Sequence, residues 1–262
     1  MIDLNGKPLC TIPRVMCWAV DNLELLKSQP DESVDLIYCD ILYGTGRNFG
    51  DYKDLKPIRS EIEAHYLPRL KEMHRVLKST GSIYLQMDTR INHWMRILMD
   101  KVFLYENFRN EIVWCYKSGG ISKTEYPKKY DVILLYSKTN TMLYNPQMKP
   151  YSEKTLQRGL TKCKGKYRLN NDGTPQVDWI EDITPLLSPT CYERTGYPTQ
   201  KPKELISRFV LASTNEGDTV ADYYLGSGTT AVVCKELNRK FIGCDINPKA
   251  IEITKARLNG GQ

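Results

Sequence analysis

The sequence predicts an α/β protein: a mostly parallel sheet with helices on both faces, assembled from strands in permuted order. Three observations predict it. Apolar runs of strand length alternate with helical patterns along most of the chain. A glycine-rich turn, Gly226-Ser227-Gly228, links the apolar run Val220 to Leu225 to a short helical stretch, and a further strand, Phe241 to Asp245, follows. A unit of this kind normally opens an open α/β sheet. Here only 17 residues follow Asp245, so the remaining strands are expected upstream.

Taken in order, Arg14 to Ala19 reads as a short strand and Leu23 to Lys27 as a helix. Val34 to Cys39 is a mostly apolar run that ends at Asp40. Ser60-Glu61-Ile62-Glu63 has capping-box spacing and predicts a helix running to about Lys78, with Pro68 as a bend or break. Ser82 to Met87 is the next strand, and a helix follows near Asn92 to Phe103. Glu111 to Tyr116 and Asp131 to Ser137 read as two strands, paired as a hairpin across a long connection. From Lys138 to Thr195 the periodicity fades, and Asn170-Asn171-Asp172-Gly173 is a strong turn signal. Order returns with a helix from Pro202 to Ala212, where Leu205/Phe209 and Ile206/Val210 pair at i,i+4. The strand Thr219 to Tyr224 precedes the glycine turn, and Asn247-Pro248 caps and opens the last helix.

Composition narrows the function classes. A chain of 262 residues can bury the core of one large α/β domain, alone or with an insertion. No apolar run reaches membrane-spanning length, and the first residues lack the pattern of a secretory signal. The eight cysteines form no C-x-x-C pair and read as reduced thiols of a cytoplasmic protein, and the three histidines lack metal-ligand spacing, so no metal is expected. The net charge of +6 points weakly to an anionic partner. Its distribution says more. Lys138, Lys149, Lys154, Arg158, Lys162, Lys164, Lys166 and Arg168 face a single acid, Glu153, with Tyr144, Tyr151 and Tyr167 interleaved. Basic side chains neutralise phosphates and aromatics stack on unpaired bases, although a solvated loop has the same composition.

Two constellations carry chemistry. Gly226-x-Gly228-x-x-Ala231 with Asp245 at the end of the following strand suits a nucleoside-bearing cofactor: backbone approaches the ligand at the glycines and a carboxylate takes ribose hydroxyls. The pattern alone leaves a nicotinamide dinucleotide and S-adenosylmethionine both open. The second is Asp40-Ile41-Leu42-Tyr43, an acid and an aromatic where a buried strand ends, flanked by Asp35-Leu36-Ile37 and Gly44-Thr45-Gly46. It resembles the Asp-Pro-Pro-Tyr motif of DNA amino-methyltransferases. Val20-Asp21-Asn22, Gly81 to Leu85, Phe108 to Trp114, Asp131 to Leu134, Glu193 to Pro202 and Asp222 to Thr230 resemble further segments of that family. The catalytic motif precedes the cofactor motif, as in the family's beta group.

The resemblance implies a Rossmann-like S-adenosylmethionine-dependent methyltransferase fold, with residues 1–137 and 191–262 as the catalytic domain and 138–190 as a basic insertion for target recognition. It implies a DNA substrate whose target base, adenine at N6 given the leading aspartate, is flipped from the helix. N4-cytosine methylation and a degenerate, non-catalytic DNA-binding subunit are the alternatives. Asp40 and the Ile41 carbonyl would accept hydrogen bonds from the exocyclic amine, and Tyr43 would stack on the base. Asp21, Lys201, Asp222, Tyr224, Gly226, Ser227, Gly228, Thr229 and Asp245 would bind the cofactor, with Asp21 reaching its adenine and Lys201 its methionine carboxylate. Arg47, Lys154, Arg158, Lys162, Lys164, Lys166 and Arg168 are the nucleic-acid-binding candidates. Membership of a restriction-modification pair and a homodimer are further expectations carried by the family. The sequence departs from the family pattern where Ile41 and Leu42 replace both prolines and Tyr223 replaces the proline of Asp-Pro-Phe, which predicts a less rigid base-holding turn.

Overall fold

Asp40, Asp222 and Asp245 each close a strand of one sheet, and the order of those strands brings the three together. The computed structural model describes residues 10–12, 14–48, 54–116, 121–160, 169–186 and 191–260. In chain order the elements are β1 (Cys10–Ile12), β2 (Val15–Ala19), α1 (Asn22–Ser28), β3 (Val34–Asp40), α2 (Arg59–Val76), β4 (Leu77–Met87), α3 (Asn92–Phe103), β5 (Phe108–Cys115) and β6 (Tyr130–Ser137). There follow β7 (Met148–Lys149), α4 (Glu153–Leu160), β8 (Thr174–Pro175), β9 (Trp179–Ile180), α5 (Lys203–Ser213), β10 (Thr219–Asp222), α6 (Thr229–Glu236), β11 (Lys240–Asp245) and α7 (Pro248–Leu258).

The main sheet has the order β1-β2-β11-β10-β3-β4-β6-β5-β9. Its centre, from β2 through β11, β10 and β3 to β4, is wholly parallel. Antiparallel pairs attach β1 at one side and β6 and β5 at the other. The permuted order is plain in the pairing: β10, late in the chain, lies beside β3, so the strands after the glycine turn complete a sheet begun upstream.

Helices cover both faces. One apolar layer joins Leu26 of α1, Ile62, Leu70 and Met73 of α2, and Met95 and Phe103 of α3 to the sheet. The other joins Leu205 and Phe209 of α5, Val233 of α6 and Ile251 of α7. β3 supplies both, with Ile37 and Cys39 on the first face and Leu36 and Tyr38 on the second. A strand buried on both sides must be apolar at successive positions, which is why it reads as a run with no alternation.

Three local expectations need correction. The box at Ser60 does not form: α2 starts two residues earlier, with Ile58 at the N-cap and no side-chain cap, and Glu63 pairs with Arg59 at 2.7 Å. Pro68 does not break α2, because a buried row from Ile62 through Tyr66, Leu70 and Met73 holds the helix across the missing N–H. The helix stops at Val76, and Leu77 already belongs to β4. The hairpin pairing of β5 with β6 is as expected, over Phe108 to Cys115.

The segment 138–190 touches the main sheet as well as its own small one. Lys149 pairs with Thr174 in the two-stranded β7-β8 sheet, and Gly173 makes the turn at φ +99°. A Cβ there would lie 2.2 Å from the Lys149 carbonyl oxygen. Further on, β9 adds parallel to β5, Ile180 and Ile183 enter the core, and Trp114 Nε1 donates to the Ile183 carbonyl at 2.8 Å. Replacing Trp114 by Phe keeps most of the apolar area and leaves that buried carbonyl unpaired. The expected loss is roughly 1–3 kcal/mol, read as a lower urea midpoint at unchanged m-value.

Candidate active site

The chain leaves β10 through α6 towards β11 on one side, and leaves β3 through α2 towards β4 on the other. Ligands bind where the strand order reverses in this way, beyond the carboxyl ends of the strands. A cavity of about 590 Å³ opens there, lined by Asp21 just after β2, Asp245 of β11, Asp222 of β10 and Asp40 of β3.

The glycine turn forms one wall. Gly226 has φ +51° and Gly228 φ +74°, a conformation that costs other residues strain. Their tasks differ. Gly226 lines the cavity beside the Tyr197 ring. Gly228 sits behind it at the N-cap of α6, where a Cβ would meet Thr254 Oγ1 of α7 at 2.2 Å. Asp245 braces the turn: Oδ2 accepts from Gly226 N at 2.8 Å and Oδ1 from Asn247 N at 2.9 Å, while burial raises its pKa. Ser227 and Thr229 also line the cavity, and Arg257 donates to the Ser227 carbonyl and to Thr229 Oγ1.

Asp222 accepts from Thr230 Oγ1 at 2.6 Å and Tyr224 N at 3.0 Å, yet burial pushes its pKa up to about 7. Asp21 caps α1 through Leu23 N and pairs with Arg69 of α2 at 2.7 Å. Tyr224 Oη lies 3.1 Å from His65 Nε2, and burial lowers the His65 pKa to about 4, so this imidazole is neutral at pH 7. His65 thus stands on the cavity wall, although its spacing in the sequence gave no sign of it.

The other wall is built on β3 and β4. Asp40 Oδ2 accepts from Lys201 Nζ at 2.6 Å, and Oδ1 accepts from Tyr43 Oη at 2.9 Å. Tyr43 Oη is also 2.6 Å from Asp131 Oδ2. Burial raises the Asp40 pKa, and the Lys201 ammonium opposes it. Ile41 N donates to the Gln86 carbonyl at 3.0 Å, the Leu42 carbonyl accepts from Tyr66 Oη, and Asp54 accepts from the amides of Gly44 and Thr45. A proline at position 41 would have no N–H for the Gln86 bond. The turn therefore gains a hydrogen bond, about 1 kcal/mol, where it lacks a ring.

The cavity brings together Asp40, Ile41, Tyr43, Asp21, Lys201, Asp222, Tyr224, Gly226, Ser227, Thr229 and Asp245. Lys201 reaches Asp40 here. Arg47 is exposed beyond the motif loop and Lys154 is exposed on α4. Arg158 is on α4, with its side chain outside the described structure, and Lys162, Lys164, Lys166 and Arg168 lie outside the described residues. Sequence reading missed Gln86 and Asp131, both buried behind Asp40; a glutamine inside an apolar strand was the available signal. Among the described residues no His, Cys, Asp and Glu group is arranged for a metal ion.

The donor wall suits a nucleoside-bearing cofactor. Asn247 lines the cavity with a buried Nδ2 that has no hydrogen-bond partner, and Gly226 brings backbone to the surface where a Cβ would press on the Tyr197 ring at 3.3 Å. Two outcomes test this wall. Asp222 binds its proton more tightly in the fold than in the unfolded chain, so it lowers stability as pH rises from about 4 to about 7. Asp222→Asn is expected to flatten that slope in urea titrations at stepped pH. Gly228→Ala is expected to lower both stability and cofactor affinity, and adding Thr254→Ala should recover only part, since the strain at φ +74° remains; thermal unfolding and calorimetry read the two losses.

Comparison with known proteins agrees with this geometry. A family model described as DNA methylase matches residues 34–256. The chain is 34% identical to the type II methyltransferase M.HpaI of Haemophilus parainfluenzae over 90% of its own length and 72% of that protein. It is also 34% identical to the DNA adenine methyltransferase YhdJ of Escherichia coli, over 91% of this chain and 81% of that one. Among solved structures, the cytosine-N4-specific PvuII DNA methyltransferase superposes with a TM-score of 0.67 at 18% identity, covering 97% of this chain and 96% of that one. A putative DNA modification methylase of Thermus thermophilus, complexed with S-adenosyl-L-methionine, superposes at 0.62 with 18% identity, covering 93% and 94%. These likenesses show the fold, and the sequence matches show the family: the chain belongs to the N6/N4 DNA methylases.

Proposed function

We propose that this chain transfers a methyl group from S-adenosylmethionine to the exocyclic amine of a base flipped out of DNA, and that the base is adenine, modified at N6. One observation carries the reading. The Asp40 carboxylate and the glycine turn face a single cavity from neighbouring strands, β3 and β10, so a donor on one wall and an amine on the other meet without a domain movement. Similarity to an enzyme named as an adenine methyltransferase favours N6 over N4-cytosine.

The cofactor, when bound, supplies an electrophilic methyl group on sulfur. On this wall Gly226 and Ser227 would carry its backbone contacts, Asn247 and Asp245 the sugar, and Ile246 an apolar surface for the purine. An aromatic amine shares its lone pair with the ring and is a poor nucleophile. Asp40 and the Ile41 carbonyl, accepting its hydrogens, favour the pyramidal form whose lone pair can attack. The amine lone pair would form the new N–C bond as the donor's S–C bond breaks, and the proton given up by the amine would pass to Asp40, which already accepts its hydrogen bond, and on to solvent. No side chain is alkylated, and the described free cysteines have no part in the step. Each oxygen of Asp40 has two lone pairs, so the bonds from Lys201 and Tyr43 leave acceptor capacity for the amine. Asp40 accepts best when ionised, and the Lys201 ammonium favours that form against the push of burial towards neutrality.

The basic segment 138–190 is the proposed DNA-recognition region. Lys154, Arg158, Lys162, Lys164, Lys166 and Arg168 would contact phosphates, with Arg47 at the motif loop.

The test is methyl incorporation into DNA by the purified protein. Asp40→Ala is expected to cut turnover roughly a hundredfold or more while calorimetric affinity for S-adenosylmethionine stays nearly unchanged. A wild-type protein that binds the cofactor and methylates no DNA would instead mark a non-catalytic copy of the fold.

A further inference from the structure

Behind Asp40 lies a second buried carboxylate that does not line the cavity. Asp131 is the second residue of β6, and because β6 runs antiparallel to β4 it reaches the same end of the sheet as Asp40. It is 3% exposed. A buried acid is costly unless each lone pair is used, and here the partners are specific. Oδ2 accepts from Gln86 Nε2 at 2.8 Å and lies 2.6 Å from Tyr43 Oη, and Oδ1 accepts from Tyr116 Oη at 3.2 Å. Gln86 is held in this orientation, since turning over would set its Oε1, which accepts from Tyr38 Oη at 2.7 Å, against the Asp131 carboxylate.

We infer that Asp131 is a positioning residue for Asp40 and acts through the Tyr43 hydroxyl; this rests on the role of Asp40 proposed above. The phenol has one proton and two carboxylate neighbours, Asp40 Oδ1 at 2.9 Å and Asp131 Oδ2 at 2.6 Å. Lys201 Nζ is 2.6 Å from Asp40 and 4.0 Å from Asp131. Two acids thus share one phenol and one ammonium in a buried space. Asp131 draws the Tyr43 ring to a fixed place and so orients the carboxylate that receives the base amine. The motif turn, without its prolines, is tied down from the β4-β6 platform through Gln86 and Asp131.

The arrangement makes two substitutions act on Asp40 with opposite sign. The groups facing Asp40 are Lys201, Tyr43 and Asp131, with Tyr38 on its own strand and Asp222 on β10. The Asp131 charge disfavours ionisation of Asp40, and the Tyr43 hydrogen bond favours it. Asp131→Asn removes the charge in a side chain of the same shape, so Asp40 should titrate at lower pH and the acid limb of the kcat profile should move down with it. Tyr43→Phe removes the hydrogen bond and keeps the ring, so both should move up.

The experiment measures methyl transfer against pH for wild type, the two single variants and the double variant. In parallel, carboxyl-carbon NMR of aspartate-labelled protein without DNA follows Asp40, assigned by its loss in Asp40→Asn. The expected result is a kcat lowered roughly tenfold in each single variant with KM little changed, limbs displaced in opposite directions, and a double variant no worse than the worse single. An Asp40 titration that ignores both substitutions, or losses that multiply in the double variant, would overturn the role of Asp131. Should Asp131→Asn fail to fold, the upward displacement in Tyr43→Phe still decides for or against the shared hydroxyl. Absence of any DNA methylation by wild type defeats the proposed function instead, and the NMR titration continues to report on the Asp40-Tyr43-Asp131 coupling.

Discussion

The ion pair between Lys201 and Asp40 is the contact on which the site depends. A carboxylate at the end of β3 is buried deeply enough to be pushed towards neutrality, and a neutral acid is a poor acceptor for an amine. Lys201 Nζ at 2.6 Å opposes that push. The lysine stands just before α5, and Thr229 of α6 donates to its carbonyl at 3.2 Å. The charge that favours ionisation of Asp40 is therefore held by the same elements that carry the glycine turn. Donor wall and acceptor wall share one anchor, so a displacement of α5 would be felt by both.

The wider fold serves this arrangement by crossing at the right place. The β3-α2-β4 and β10-α6-β11 units leave a common seam in opposite directions, and they clothe opposite faces of the sheet. The permuted order does not disturb this. Only the position of the connections has changed along the chain, and the carboxyl ends of β3 and β10 are adjacent as the switch point requires.

Much of this was legible in the sequence, for identifiable reasons. Strands buried on both faces, such as β3, announce themselves as apolar runs, and an aspartate ending such a run is conspicuous. The glycine turn was readable because Gly226 and Gly228 occupy a conformation that few residues adopt. What escaped were relations between distant segments. Asp131 and Asp40 are far apart in the chain and meet only because β6 pairs antiparallel with β4. Lys201 was expected beside the cofactor, and its pairing with Asp40 depends on how the loop before α5 folds over β3. The reduced rigidity expected from Ile41 and Leu42 overlooked the hydrogen bond from Ile41 N to the β4 backbone, which no local pattern discloses. The capping box at Ser60 was a local pattern that lost to an alternative partner, Arg59.

The central claim is that one cavity holds a methyl donor on the glycine wall and a base amine on the Asp40 wall. Nucleoside analysis of DNA from a methylation-free host expressing the protein tests it most directly. Wild type is expected to leave N6-methyladenine in that DNA, and Asp40→Ala none. Unmodified DNA in both, from a host in which the protein is folded and abundant, would contradict it.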